Sequence, residues 1–400
     1  MKQPDTLSLQ TRLQHTGSDP FDPETGTAAV GLPPKRSSTV RFADLAALDR
    51  AYQRRRAGER AITYGRSGMD THRALEDVFS QLEGGAHTVL APSGLAAITL
   101  AFLGLMGAGD HALVADNVYG PLRHLDDTLL KKLGMTLEYF DPTRPDDLAA
   151  KLRADTRLIY AESPGSLLLQ MTDIPALAKV ARAKGVPLVV DNTWGSGYIY
   201  QPLALGADVS VVAGTKYVAG HSDLMLGAVV SRDLAMGQRL GAMQYALGYA
   251  LGADDAWLAL RGVRTLPVRM AEHARSALRV CEFLASRPET DSIYHPAWPQ
   301  DPGHALWQRD CTGSNGMLSV SLKLDRAAGR RFVDALQLFG IGFSWGGYES
   351  LVQWVEPEGL APHAYAQAVR GLAVVRLHVG LEAVDDLIAD LEQALDQAAG

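Results

Sequence analysis

Cysteine is nearly absent from this chain. Only Cys281 and Cys311 occur in 400 residues. They form no C-x-x-C pair and no disulfide framework, so a disulfide-stapled secreted module is excluded and a cytoplasmic setting is expected. Surplus positive charge is absent too, with 38 Lys plus Arg against 45 Asp plus Glu and a formal net charge of −7. Sequence-independent nucleic-acid binding needs a basic face, so no nucleic-acid partner is expected. The one basic cluster, QRRRAGER with Arg54, Arg55, Arg56 and Arg60, reads as a solvated helix face. Long apolar runs are missing as well. The richest, TVLAPSGLAAITLAFLGLMGAG, is broken near its start by Pro92, Ser93 and Gly94, which suits a strand, a tight turn and a buried helix better than a membrane span. The first 26 residues contain no apolar stretch of the secretory kind, so neither export nor membrane attachment is expected.

Several motifs of common chemistries are also missing. There is no G-x-x-x-x-G-K-[ST] for a P-loop and no G-x-G-x-x-G after the first strand. No H-E-x-x-H or paired C-x-x-C points to zinc, and no metal is expected. GHSDL (220–224) approaches a nucleophile elbow, but Leu224 stands where the second glycine is required.

What is present is an ordinary globular composition, 47% hydrophobic and 21% charged, at a length that suits one large domain and a smaller one. Residues 1–60 read as an extended arm and a short helix around FADLAALDRAYQRR, contributing to subunit contacts. From about residue 75 the β-branched runs HALVAD, MTLEYF, RLIYAES, VPLVVDN, DVSVVAG and GAVVS alternate with helical stretches. The clearest helix is expected over 174–184, with Asp173 as N-cap, Pro175 in the first turn and Gly185 as the stop. Such alternation predicts an α/β domain over 61–260 with a mostly parallel central sheet. After it comes a smaller α+β domain, 261–400, with a strand at VVRLHVG (374–380) and a helix whose Val384, Leu387, Ile388, Leu391 and Leu395 share a face.

Ligands of parallel α/β sheets sit at the carboxyl ends of the strands, and three polar features fall at such ends. VPLVVDNTW puts Asp191 there, LAPSGLAA puts Ser93, Gly94 and Leu95 there, and VVAGTKYVAGHSD puts Lys216 there. Each has a plainer reading: Asp191 as a helix N-cap, PSG as a helix-starting turn, Lys216 as a snorkelling surface residue. Together they suit pyridoxal phosphate. That cofactor needs an amine for its aldehyde, a carboxylate for its pyridine nitrogen and backbone N–H groups at a helix N-terminus for its phosphate. A partly buried lysine is also easier to deprotonate than one in water.

The ordered segments YGRSGMDTHRALEDVFSQLEGG, DNVYGP, ESPGS, DNTWGSG, GTKYVAGHSD and FSWGGYESL make the chain, from about residue 35 onward, resemble the Cys/Met-metabolism family of pyridoxal-phosphate enzymes. The resemblance implies the fold-type I transferase architecture of the aspartate-aminotransferase kind. By it Lys216 binds the cofactor and moves the substrate's Cα proton, Asp191 pairs with the pyridinium, and Tyr119 stacks on the ring. Ser93, Gly94, Leu95 and Thr215 hold the phosphate. Tyr64 and Arg66 reach the phosphate of a neighbouring subunit, Tyr64 also meeting its substrate. Arg376 clamps the substrate carboxylate, with Ser344 and Trp345 lining that pocket. The implied assembly is a homodimer with shared sites, commonly paired into a tetramer. Ala213 stands where many relatives carry serine, which leaves the phosphate to lean on Thr215 and Arg66.

ESPGS and DNTW resemble the family's β-eliminating branch, which cleaves cystathionine, whereas γ-acting members usually carry ESPTNP and DNTF. Pro121 occupies the position where the methionine γ-lyases have a reactive cysteine. The expected function is therefore a carbon–sulfur β-lyase on a small sulfur amino acid. γ-Elimination, γ-replacement and cysteine desulfhydration stand as alternatives. A non-catalytic protein on a degenerate version of the fold is disfavoured by the intact Lys216, Asp191 and Arg376 set.

Overall fold

Seven strands form the central sheet of the computed structural model, which describes residues 7–360 and 363–399. They are β1 (His87–Ala91), β2 (His111–Ala115), β3 (Thr136–Phe140), β4 (Thr156–Glu162), β5 (Leu188–Asp191), β6 (Val209–Val212) and β7 (Gly227–Ser231). Their spatial order is β1-β7-β6-β5-β4-β2-β3. The strands from β3 to β6 run parallel, while β7 lies antiparallel to both β1 and β6. Strands β2, β5, β6 and β7 are buried along their whole length, which is why they read as unbroken β-branched runs rather than alternating ones.

The expected helix runs over Ile174–Lys184, capped by the Asp173 side chain on Ala176 N–H and ended by Gly185 in the left-handed region. It buries Ile174, Leu177, Ala178 and Ala181. The apolar stretch after PSG is the helix Gly94–Leu105. No helix among the described residues is long and apolar enough to cross a membrane.

Two expectations need correction. No α-helix links β5 to β6, and none links β6 to β7, so the regular alternation stops where the sheet changes direction. The antiparallel return of β7 lets residues 213–226 close as a loop at the carboxyl end of β6, and Lys216 sits on that loop. The N-terminal arm also contains a short helix, Leu9–His15, capped by Ser8 and anchored by fully buried Leu13. Residues 1–6 of that arm, residues 361 and 362, and Gly400 lie outside the described residues. The helix expected near residue 45 spans Leu45–Arg56 and buries none of its residues; Arg54 and Arg56 are exposed on it, while Arg55 is half-buried and lies 4.4 Å over the Tyr245 ring.

A second sheet has the order β10-β11-β12-β9-β8. Its strands are β8 (Thr290–Tyr294), β9 (Met317–Leu322), β10 (Gly340–Ile341), β11 (Leu351–Val355) and β12 (Ala373–His378). It packs with Leu387, Leu391 and Leu395 of the last helix in a core of its own. The helix Leu266–Ala285 joins the two cores. Its first turns place Leu266 and Met270 in the larger one, and Ala277, Val280, Cys281 and Leu284 in the smaller.

Candidate active site

A cavity of about 700 Å³ opens between the two sheets. Ser93, Gly94, Leu95, Tyr119, Asp191, Thr215, Lys216, Ser344, Trp345 and Arg376 all line it. Tyr64 and Arg66 do not. Tyr64 is 48% exposed, and Arg66 lies 4.2 Å over the Tyr245 ring while donating to the Tyr245 carbonyl at 3.0 Å. A second cavity, about 510 Å³, shares His363 with the first but has no lysine in its wall.

Lys216 leaves β6 on a tight turn in which its N–H donates to Ala213 O (3.1 Å) and its carbonyl accepts from Gly220 N–H (2.8 Å). The side chain is half-buried, its Nζ donates to Ser344 Oγ and lies 5.3 Å from the centre of the Trp345 ring. Burial first, and the Arg376 charge second, push its pKa down to about 8. Lys216 is thus far easier to deprotonate than a lysine in water.

Asp191 ends β5 and is almost fully buried. Its Oδ1 accepts the Thr193 hydroxyl at 2.6 Å and the Thr193 N–H at 3.0 Å, and its Oδ2 accepts the Tyr160 hydroxyl at 3.2 Å. Burial raises its pKa, and the Thr193 donors, Tyr160 and Lys216 oppose that rise. The adjoining Asn192 donates to both oxygens of Glu83 at 3.0 Å, which pins the strand end from behind. Glu162 ends β4 directly beside Asp191 and accepts the Tyr119 N–H at 2.6 Å. Burial and the Asp191 charge raise the Glu162 pKa well above the ordinary carboxylate range.

Ser93 is the N-cap of the helix Gly94–Leu105, its Oγ accepting from Ala96 N–H at 3.1 Å. The N–H groups of Gly94 and Leu95 come first in the helix and have no carbonyl partner within it. A Cβ on Gly94 would lie 2.6 Å from Ala213 Cβ, so this helix end and the lysine turn approach as closely as they do only because glycine stands there. Thr215 lines the cavity, but its hydroxyl donates to Leu226 O (3.1 Å) and accepts from Leu226 N–H (2.9 Å). Serving a phosphate would mean giving up the bond to Leu226 O.

Arg376 projects from β12, where burial lowers its pKa to about 10 and leaves it cationic at neutral pH. Ser344 adopts a positive φ of 87° in the turn that brings Trp345 over the lysine. Sequence reasoning missed Thr193, Tyr160 and Glu162. Thr193 had a readable signal, since a hydroxyl two residues after an Asp often closes a turn onto it. Glu162 and Tyr160 are identified only by the pairing of β4 with β5.

A family model described as Cys/Met metabolism PLP-dependent enzyme matches residues 10–396. The chain belongs to that family. A Bordetella avium protein named cystathionine beta-lyase is 64% identical over 98% of this chain and 98% of its own length. The Escherichia coli protein named cystathionine beta-lyase MetC is 39% identical over 91% and 93%. Among solved structures, a cystathionine gamma synthase from Xanthomonas oryzae superposes with a TM-score of 0.89 at 34% identity, covering 98% of this chain and 99% of that one.

Family membership makes pyridoxal 5′-phosphate the cofactor, and the cavity's donor set fits it. The free N–H groups of Gly94 and Leu95 suit a phosphate. Buried Asp191 with its three donors suits a protonated ring nitrogen, and Lys216 supplies an amine of depressed basicity.

Proposed function

We propose that the chain is a carbon–sulfur lyase that cleaves L-cystathionine to homocysteine, pyruvate and ammonia by α,β-elimination. The observation that carries this reading is the 64% identity, over nearly the full length of both chains, to the Bordetella avium relative. Bound pyridoxal phosphate supplies an electron sink for the charge left at Cα when its proton is removed.

The chain's own residues do the rest. Arg376 offers a bidentate fork to the substrate's α-carboxylate, with Ser344 and Trp345 beside it. Lys216, its amine held near the reacting carbon by Ser344, takes the Cα proton on Nζ. The Cβ–S bond then breaks and its electron pair leaves with sulfur as a thiolate. Water hydrolyses the three-carbon remainder to pyruvate and ammonia. Asp191, solvated by Thr193 and Tyr160, would stay anionic and hold the proton of the ring nitrogen. Tyr119, its backbone fixed by Glu162, would cover the face of the bound ring. Gly94 and Leu95 receive the phosphate.

Tyr64 and Arg66 stand outside the cavity of their own chain, and this reading assigns them to the phosphate of a second copy. A homodimer, paired again into a tetramer, is then the complete enzyme. Two unpaired cysteines accord with a cytoplasmic location.

Product analysis tests the reading. Purified holoenzyme with L-cystathionine is expected to release pyruvate and homocysteine. Release of 2-oxobutyrate and cysteine would overturn it in favour of γ-elimination on the same lysine.

A further inference from the structure

A buried cluster that the proposed chemistry does not use lies beneath the cavity floor. Tyr217, the residue after Lys216, is fully buried. Its ring centre lies 5.3 Å from that of His273, 5.5 Å from that of Trp345 and 5.8 Å from that of His378. The two imidazoles are 5.2 Å apart. His273 Nδ1 is 2.9 Å from the Val379 carbonyl and His378 Nδ1 is 3.0 Å from the Glu349 carbonyl. A carbonyl only accepts, so each ring carries its proton on Nδ1 and keeps a lone pair at a buried Nε2 that has no hydrogen-bond partner among the described residues. Burial and the neighbouring His273 keep His378 neutral, its pKa well below the usual range.

Each member of the cluster is tied to a different part of the site. His378 lies two residues along β12 from Arg376, on the same face of the strand. Its bond to Glu349 O holds the segment that carries Ser344 and Trp345. Tyr217 is the chain neighbour of Lys216, and its hydroxyl oxygen accepts from Gly316 N–H at 3.1 Å. A Cβ on Gly316 would fall 2.4 Å from Val379 O and 3.4 Å from His378 Nε2, so the cluster is closed tightly from that side.

We propose that His378 is a positioning residue for the reaction. Its Nδ1–H bond to Glu349 and its packing on Tyr217 hold Arg376, the Ser344–Trp345 turn and Lys216 at the separation that one amino-acid substrate requires. An apolar side chain of similar size would fill the space but leave the Glu349 carbonyl without its donor. The inference rests on the reading that Arg376 takes the substrate carboxylate.

Glycine is a suitable probe, since it has the carboxylate and amine but no leaving group. Its binding to the holoenzyme is read from the change in the bound cofactor's absorption. His378→Leu is expected to weaken glycine binding and raise KM for L-cystathionine about five- to thirtyfold, with kcat kept within about threefold. His378→Asn, whose amide donates from the place of Nδ1, is expected to recover most of the loss. Glycine binding by His378→Leu within about twofold of the parent, or His378→Asn as weak as His378→Leu, would overturn the proposal. Should His378→Leu not fold, His378→Phe carries the same expectation. Arg376→Lys, measured in parallel, separates the two readings. If it leaves glycine binding unchanged, both fall; if it alone weakens binding, only the positioning role falls.

Discussion

Glu162 and Asp191 are register partners at the carboxyl ends of two adjacent parallel strands, Asp191 buried and Glu162 half-buried in the cavity wall. Two charges of one sign so close, one of them buried, repel strongly, so one of the pair holds a proton. Asp191 has three donors and the nearby Lys216, while Glu162 has the Tyr119 N–H, the Ser166 side chain and the Arg376 charge, which together oppose its rise less. Glu162 is therefore the neutral partner. Glu162→Gln keeps an acceptor for Tyr119 and is expected to retain activity within about threefold, whereas Glu162→Ala, which orphans that N–H, loses about five- to tenfold. Steady-state kinetics on both variants check this.

The same pair has a consequence for stability against pH. Folded Glu162 keeps a proton that the unfolded chain releases above about pH 4.3, so the folded state binds more protons and stability falls as pH rises through that range. Denaturant titrations at several pH values are expected to show a shallower decline for Glu162→Gln than for the parent. Parallel curves would place the proton elsewhere.

Cofactor uptake reports on Lys216. Covalent attachment needs the neutral amine, and the amine titrates at about 8. Reconstitution of the cofactor-free protein with pyridoxal phosphate is expected to speed up as pH rises through about 8 and then level off. Growth of the visible absorption band measures the rate. A midpoint near 10.4, the value of a lysine in water, would show that burial and Arg376 do not act on this amine.

Arg376→Lys keeps the charge and removes the fork. Losing charge-assisted hydrogen bonds worth roughly 1.5–3 kcal/mol lowers kcat/KM about 10- to 150-fold, while the bound cofactor's absorption stays as in the parent. Loss of the absorption band together with activity would mean that Arg376 supports the fold rather than the substrate.

Gly346 turns at φ +90° against the lysine loop, where a Cβ would lie 2.8 Å from Tyr217 N and 2.9 Å from Lys216 C. Gly346→Ala must push apart two backbones, costing roughly 1–3 kcal/mol of stability and most of the activity. Gly248→Ala is the control. That glycine also has a positive φ, of 68°, but nothing lies within 4 Å of its Cβ position, so its cost is about 1 kcal/mol with activity retained. Thermal melts and turnover of the two variants side by side distinguish strain at the site from strain in general.

Much of the fold was legible because local chemistry encodes it. Asp173, Pro175 and Gly185 punctuate one helix, and β-branched runs mark the buried strands. The reversal of β7 was not legible, since a strand buried on both faces carries no mark of its direction. Leu9–His15 escaped notice because only Leu13 is buried in it, too little for a periodic signal. Trp194, part of the DNTW cue, is buried and forms no part of the cavity wall, so its identity bears on packing behind Asp191 rather than on a direct substrate contact.

Residue types, their order and their places at strand ends were determined by the sequence alone, because amines, carboxylates and helix-starting turns keep their chemistry wherever the chain takes them. That was enough to point to Lys216 and Asp191, whereas Arg376 was singled out only by the family resemblance. Which carboxylate of a pair stays charged, how far the lysine is desolvated, and whether Tyr64 and Arg66 face their own cavity were decided only by the tertiary structure. Those properties depend on burial and on donors brought from strands and turns far apart in the chain, and no local pattern records them.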